Sequence, residues 1–257
     1  MNRDTRRQIA VVLAFTAMIV VNALASALPL NGKNTGEISD QFAIYFVPAG
    51  YVFAIWGIIY LGLLGFTAYQ ALPAQRENPR LREVGYLFVL SSVANIVWLF
   101  LWHYEVFTLT LIAMAAILLS LIAIYLRLGT GRTAASGAER WLVRVPFSVY
   151  LGWITVATIA NASQLLFYIG WGGWGISPQT WTVIMLAAAV VIASLMALTR
   201  RDIAYLLVLV WAFVGIALKH TGAPLVVNAA WVATVLVGVA IVASLLRHNP
   251  TPRKLPA

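Results

Sequence analysis

Long apolar runs alternate with short connections along this chain, and every second connection is loaded with arginine. Lipid satisfies no backbone N–H or C=O, so a membrane-crossing segment must be a helix or part of a closed barrel. Roughly 17–25 apolar residues make one helical crossing. Eight such runs can be read, at 8–30, 50–71, 84–102, 107–126, 145–168, 179–198, 203–218 and 225–246, the seventh being the shortest. Arg3, Arg6 and Arg7 precede the first run, and Arg76, Arg80 and Arg82 follow the second. Arg127, Arg132, Arg140 and Arg144 follow the fourth, Arg200 and Arg201 the sixth, and Arg247, Arg253 and Lys254 the last. The opposite set of connections holds only Lys33 and Lys219. Positive residues stay on the cytoplasmic side of a bilayer. The pattern therefore predicts a multi-pass protein of the plasma membrane with both termini in the cytoplasm. A missed crossing would invert the alternation after it, so the charges also support the count. Reporter fusions at Gly36 and Gly173 should read external and one at Gly129 internal. An internal signal at Gly173 would break the scheme.

Composition agrees. The chain is 62% hydrophobic and 10% charged, where soluble domains are roughly a quarter charged. Its net charge of +9 belongs to one set of loops and is no footprint for nucleic acid; the bilayer is the expected partner. Without cysteine there is no disulfide and no thiolate ligand or nucleophile. His103, His220 and His248 lie far apart in sequence, so neither a metal centre nor a histidine-based catalytic site is expected. Ala25-Ser26-Ala27 after the run Ile9–Val21 has the form of a secretory cleavage site. The run continues to Leu30, however, and is long enough to remain as a helix. Residues 247–257 are Pro-rich and expected to be disordered.

Three of the runs carry polar and aromatic stripes. Asn95, Trp98 and Trp102, extended backward by Ser91, share one helical face. An amide and two indole N–H groups within hydrocarbon need partners, so this face should look into a bundle. Phe53, Trp56 and Tyr60 form a second stripe, after Pro48 and Gly50 at the start of the second run. Tyr150, Trp153, Ala157, Asn161, Gln164 and Tyr168 form a third. Each stripe alone is compatible with helix packing. Their convergence points to an internal pocket for a flat, largely apolar molecule with a few polar handles. Neither an acid–base pair nor a nucleophile–base set accompanies them, so no enzyme is expected. Glu83, Glu105 and Asp202 sit at run ends, which ranks a secondary transporter of a small amphipathic solute second, because coupling usually needs ionisable groups inside the membrane.

Pro48-Ala-Gly-Tyr51-Val-Phe53…Trp56…Tyr60 resembles the Pro-Pro-x-Trp-Val-Phe…Trp…Tyr signature of the tryptophan-rich sensory protein family, also called the translocator or peripheral-type benzodiazepine receptor family. Asn95-x-x-Trp98 and Trp153-Ile-Thr-Val-Ala157-Thr-Ile-Ala-Asn161 are similar to its third- and fifth-helix motifs, in the right order. The second Pro is Ala49 here and the Trp is Tyr51. No Lys or Arg follows Tyr168, so the late cholesterol-recognition pattern is missing; Leu121-Ile-Ala-Ile-Tyr125-Leu-Arg127 fits such a pattern elsewhere, as weak evidence. The resemblance covers about residues 8–168. It implies an all-α membrane protein with a five-helix core (1–168), to which this chain adds three helices (169–246) with no assigned role. It also implies a sensory or ligand-binding role toward porphyrin, haem or another planar amphipathic molecule, with no obligatory cofactor. Tyr51, Phe53, Trp56, Asn95, Trp98, Trp102, Trp153 and Asn161 would line the site, with loop 31–41 as a lid. A homodimer would be permitted by close approach at Gly62 and Gly65.

Overall fold

The computed structural model describes residues 2–28 and 30–246, and these contain helices and connections but no strand. The expected disordered tail at 247–257 lies outside the described residues. Helix α1 (Arg3–Ala27) is followed by a short helix α2 (Thr35–Asp40), then by α3 (Ile55–Ala71), α4 (Pro79–His103) and α5 (Phe107–Arg127). A single turn, α6 (Gly137–Glu139), runs through a π turn at Arg140–Arg144 into α7 (Val145–Tyr168). Helices α8 (Pro178–Thr199), α9 (Ile203–Lys219) and α10 (Pro224–Leu246) complete the chain. Local chemistry sets several starts. Asn78 caps α4 by accepting from the Arg80 and Leu81 amides, with Pro79 at the first helical position. Ser177 and Pro178 do the same for α8. A proline there loses no hydrogen bond, because first-turn amides have no partner inside the helix.

Seven helical segments are long and apolar enough to cross a membrane, and α9 is a shorter apolar helix. At 1.5 Å per residue its 17 residues reach about 25 Å, a little under a hydrocarbon slab of about 30 Å. It still runs from one end of the protein to the other. Asp202 at its start accepts from Ser148 near the arginine-rich end, and Lys219 at its finish pairs with Asp40 beside α2. The chain is a multi-pass helical membrane protein.

Helices α1, α3, α7, α5 and α4 form a closed ring in that order, each packing on its two neighbours. Helix α9 lies outside the ring against α7, and α10 packs on both α8 and α9. Missing side chains allow these approaches. A Cβ on Gly152 would lie 3.1 Å from the Tyr205 carbonyl oxygen. One on Gly62 would lie 3.0 Å from Pro146, and one on Gly65 3.3 Å from Leu142. Gly62 thus lets α3 approach α7, and Gly65 lets it approach the π turn, within the chain. The cholesterol-like pattern at the end of α5 has an internal use too. Tyr125 is buried, with the Arg200 guanidinium 5.6 Å from its ring centre.

The arginine-rich end is sealed. Gln8 Nε2 donates to the Gln70 carbonyl (2.6 Å) and Gln70 Nε2 to that of Gln8 (3.3 Å). Buried Arg7 donates to Asp4 (2.9 Å) and to the Arg76 carbonyl (2.8 Å). Arg144, expected in a basic loop, is instead buried on the π turn, where it donates to Glu139 and to the Thr133 carbonyl. Just inside this seal Phe66, Phe88 and Phe147 are fully buried and meet edge to face at 4.9–5.9 Å between ring centres.

Candidate functional site

The opposite end of the five-helix ring is roofed by residues 30–49. Asn34 opens α2 with a reciprocal cap: its side chain accepts from the Glu37 amide (2.9 Å), and Glu37 accepts from the Asn34 amide (2.8 Å). This is the capping-box solution to unpaired first-turn amides. The roof is fastened to α4 by His103, which is fully buried, with its ring nitrogens 3.2 Å from the Leu30 carbonyl and 3.1 Å from Thr35 Oγ1. Trp102 Nε1 donates to the Thr35 carbonyl (3.2 Å), and Lys33 pairs with Glu105 (2.5 Å). The loop expected as a lid is folded and tied down over this end of the ring.

Beneath it lies a cavity of about 60 Å³. Phe53, Trp56, Asn95, Trp98, Trp102, Trp153 and Asn161 line it, together with Thr35 and Ser39 of the lid and Gln164 of α7. The three stripes meet as their spacing predicts, although they come from separate parts of the chain. Trp98 and Trp102 stack at 5.3 Å and 18°. Trp153 stands edge to face against Phe53 (5.6 Å) and Trp56 (6.3 Å). Amides tie the walls together: Trp98 Nε1 donates to Asn161 Oδ1 (3.3 Å), and Asn161 Nδ2 donates to Thr110 Oγ1 (2.9 Å). Asn95 Oδ1 accepts from Asn22 Nδ2 (2.8 Å), and Gln164 Nε2 reaches Ser39 Oγ of the lid (3.3 Å). Asn22 and Thr110 went unremarked in the sequence. Asn22 is an amide in the middle of the first apolar run, and the argument applied to Asn95 would have found it.

Among the residues lining the cavity, one buried donor lacks a partner. Trp153 Nε1 is buried and has no hydrogen-bond partner among the described residues. The cost of such a group is roughly 1–3 kcal/mol, and it belongs to a residue that lines the cavity. No residue lining the cavity is ionisable.

Tyr51 is the exception among the expected site residues. It is 45% exposed and stands edge-on to Trp211 of α9, with ring centres 5.2 Å apart. Its segment, Gly50–Ala54, is a 3₁₀ turn rather than the start of an α-helix. Two residues before Phe53, Tyr51 leaves the turn on a different side from the Phe53–Trp56 stripe under either winding. Tyr168, at the far end of the third stripe, is likewise exposed and packs on Phe107.

Helix α9 and its C-terminal cap hold the outside of the same wall. The Ala49 amide donates to the Gly215 carbonyl (3.1 Å), and Trp211 Nε1 donates to the Val52 carbonyl (3.1 Å). His220 Nε2 donates to the Val47 carbonyl (3.1 Å); burial holds its pKa below the ordinary imidazole range, in keeping with a neutral ring. Farther out, Trp171, Trp174 and Trp181 cluster at 5.2–5.8 Å, with Trp174 81% exposed. Tryptophans in such a place sit at a membrane–water boundary.

A family model described as TSPO-like protein matches residues 8–243. No curated protein and no solved structure matches the chain. The family match runs well past the boundary expected at 168 and takes in α8, α9 and most of α10. With its aromatic and amide motifs gathered on one lidded cavity and nearly its whole length matched, the chain belongs to the TSPO-like protein family.

Proposed function

We propose that this protein is a membrane receptor or sensor that takes a planar amphipathic molecule, porphyrin-like in shape, into the cavity beneath the α2 lid. The observation that carries the reading is the convergence of seven aromatic and amide side chains, from three separate motifs, on one lidded space. Aromatic faces supply stacking area, and the unpaired Trp153 N–H supplies a donor for a ligand acceptor such as a carbonyl or ring nitrogen. Because the lining holds no ionisable group, burying a carboxylate there would be costly. The acidic groups of a porphyrin would rest at the lid edge, near Lys33 and Lys219.

The cavity of about 60 Å³ is well below the roughly 300–1,000 Å³ of drug-sized ligand sites. Uptake of a porphyrin therefore requires the lid to lift. Its outer fastenings are suited to that. Lys33–Glu105 and Lys219–Asp40 are ion pairs on partly exposed side chains, worth about 0–1 kcal/mol each. We read the protein as a binder rather than a transporter, since the phenylalanine cluster and the Gln8–Gln70 pair close the bundle on the far side. The site offers no acid–base pair, which favours binding over catalysis. The lid would face outward and the arginine-rich end the cytoplasm.

Titration of the purified protein against a porphyrin panel, followed by tryptophan quenching, tests the reading; no saturable uptake of any member would refute it. Trp153→Phe sharpens the test. The substitution removes a donor that bonds to nothing among the described residues but also shrinks a buried ring, so a stability loss of about 1–2 kcal/mol is expected. Porphyrin affinity should drop about tenfold, the equivalent of 1.4 kcal/mol. Full affinity in this variant would show that the indole N–H meets no ligand atom.

A further inference from the structure

Of the helices beyond the ring, α9 braces the cavity wall at residues 47–52, largely by bonds to backbone carbonyls. Val47 and Pro48 line the cavity, and the segment that contains them is held from behind by α9 at three successive carbonyl bonds. Ala49 N–H donates to Gly215, Trp211 to the Val52 carbonyl and His220 to the Val47 carbonyl, each at 3.1 Å. The fit leaves no slack. A Cβ on Gly215 would lie 2.2 Å from Val52 Cγ2 and 3.0 Å from Pro48 Cβ, and Val52 is fully buried. Lys219 also holds Asp40 at the end of the lid helix. From α8, Gln179 donates to the Tyr45 hydroxyl (2.9 Å).

We propose that α9 is the positioning element of the pocket: its lid-side end fixes residues 45–52 against the cavity and so sets the rate at which a ligand passes in and out. This rests on the ligand-binding reading above. Gly215 and Trp211 act as positioning residues and touch no ligand. On this side the cavity wall, Val47, Pro48 and Phe53, comes from a non-α-helical segment ending in the 3₁₀ turn. Without an outside brace, that segment and the lid joined to it would open together.

Two measurements decide the matter on the full-length protein in lipid nanodiscs. The first needs no ligand. Hydrogen exchange at the Ala49 amide reports directly on its bond to Gly215. In the double variant Trp211→Phe with His220→Ala, exchange there should be at least tenfold faster, with the amides of α4 and α7 unchanged. Gly215→Ala should act in the same direction by wedging the segment away, and the double variant decides the question should Gly215→Ala fold poorly. Unaltered exchange at Ala49 in the double variant would overturn the brace. The second is stopped-flow binding of protoporphyrin IX, read by tryptophan quenching. Association and dissociation should both quicken about tenfold in the double variant, with Kd within threefold of wild type. Unchanged rates in a variant with faster Ala49 exchange would overturn control of ligand passage. A wild-type protein that takes up no porphyrin would instead refute the ligand reading, leaving the brace to be decided by the exchange result.

Discussion

Replacing Trp98 and Trp153 together with leucine is expected to weaken porphyrin binding roughly ten- to a hundredfold while the protein still inserts and folds. Each indole presents a face to the cavity from a different helix. An aromatic contact is worth roughly 0.5–1.5 kcal/mol beyond the area it buries, so two lost faces amount to about 3 kcal/mol at most, or two factors of ten. Leucine keeps both helices apolar, which preserves insertion. Two structural costs are foreseeable: the smaller side chains leave space beside Phe53, Trp56 and Trp102, at roughly 1–3 kcal/mol for each site, and a hydrogen bond is lost. Trp98 donates to Asn161 Oδ1, and losing that donor should lower stability by about 1 kcal/mol. Asn161 keeps its own bond to Thr110, so the helix contact survives. Circular dichroism and gel filtration would establish the fold, and quenching titration the affinity. Unchanged affinity in a folded double variant would remove these residues from the site.

The largest effect on stability is expected far from the cavity, at Gly131. Its φ of +75° is in the left-handed region, and a Cβ there would lie 2.0 Å from the Arg200 carbonyl oxygen and 2.7 Å from its carbonyl carbon. Both obstacles are backbone at the α8–α9 turn, so neither can swing aside. Gly131→Val adds a β-branched side chain in a conformation that already costs non-glycine residues roughly 1–2 kcal/mol. The loop must also leave its seat, exposing the Arg200–Thr130 bond. A loss of about 3 kcal/mol is expected, at the upper end of ordinary single substitutions. Gly129→Ala serves as the comparison. It too has positive φ, but the nearest atoms to its Cβ belong to the Thr133 side chain, which can turn away. Thermal unfolding in detergent, followed by tryptophan emission, should rank Gly131→Val well below Gly129→Ala. Equal midpoints would mean that the loop is not docked on Arg200.

Much of the architecture was legible because hydrocarbon forces a simple grammar on the chain. Apolar length gave the crossings, and the need of every buried amide for a partner gave the inward faces of α4 and α7. The same logic placed Trp98, Trp153 and Asn161 together before any coordinates. Most of what escaped the sequence was carried by backbone. Tyr51 was placed in the site by the motif and not by helical spacing, and it packs outward on Trp211. The link between α9 and the cavity wall depends on the Gly215 carbonyl and on a missing Cβ, neither of which leaves a periodic pattern. Gly62 and Gly65 were legible as sites of close approach, but a sequence cannot say whether the approaching helix belongs to the same chain. Arg140–Arg144 read as a basic loop, since the carboxylate that neutralises Arg144, Glu139, looks like any other loop residue until the π turn brings it round.

The absence of ionisable groups around the cavity has an electrical consequence. Moving one elementary charge across a membrane potential of 100 mV involves about 2.3 kcal/mol. A ligand that keeps its charges at the lid edge and sends only its uncharged plane inward moves almost no charge through that field, and no side chain titrates in response. Occupancy would then follow ligand concentration alone, at the same midpoint in an energised cell and a depolarised one.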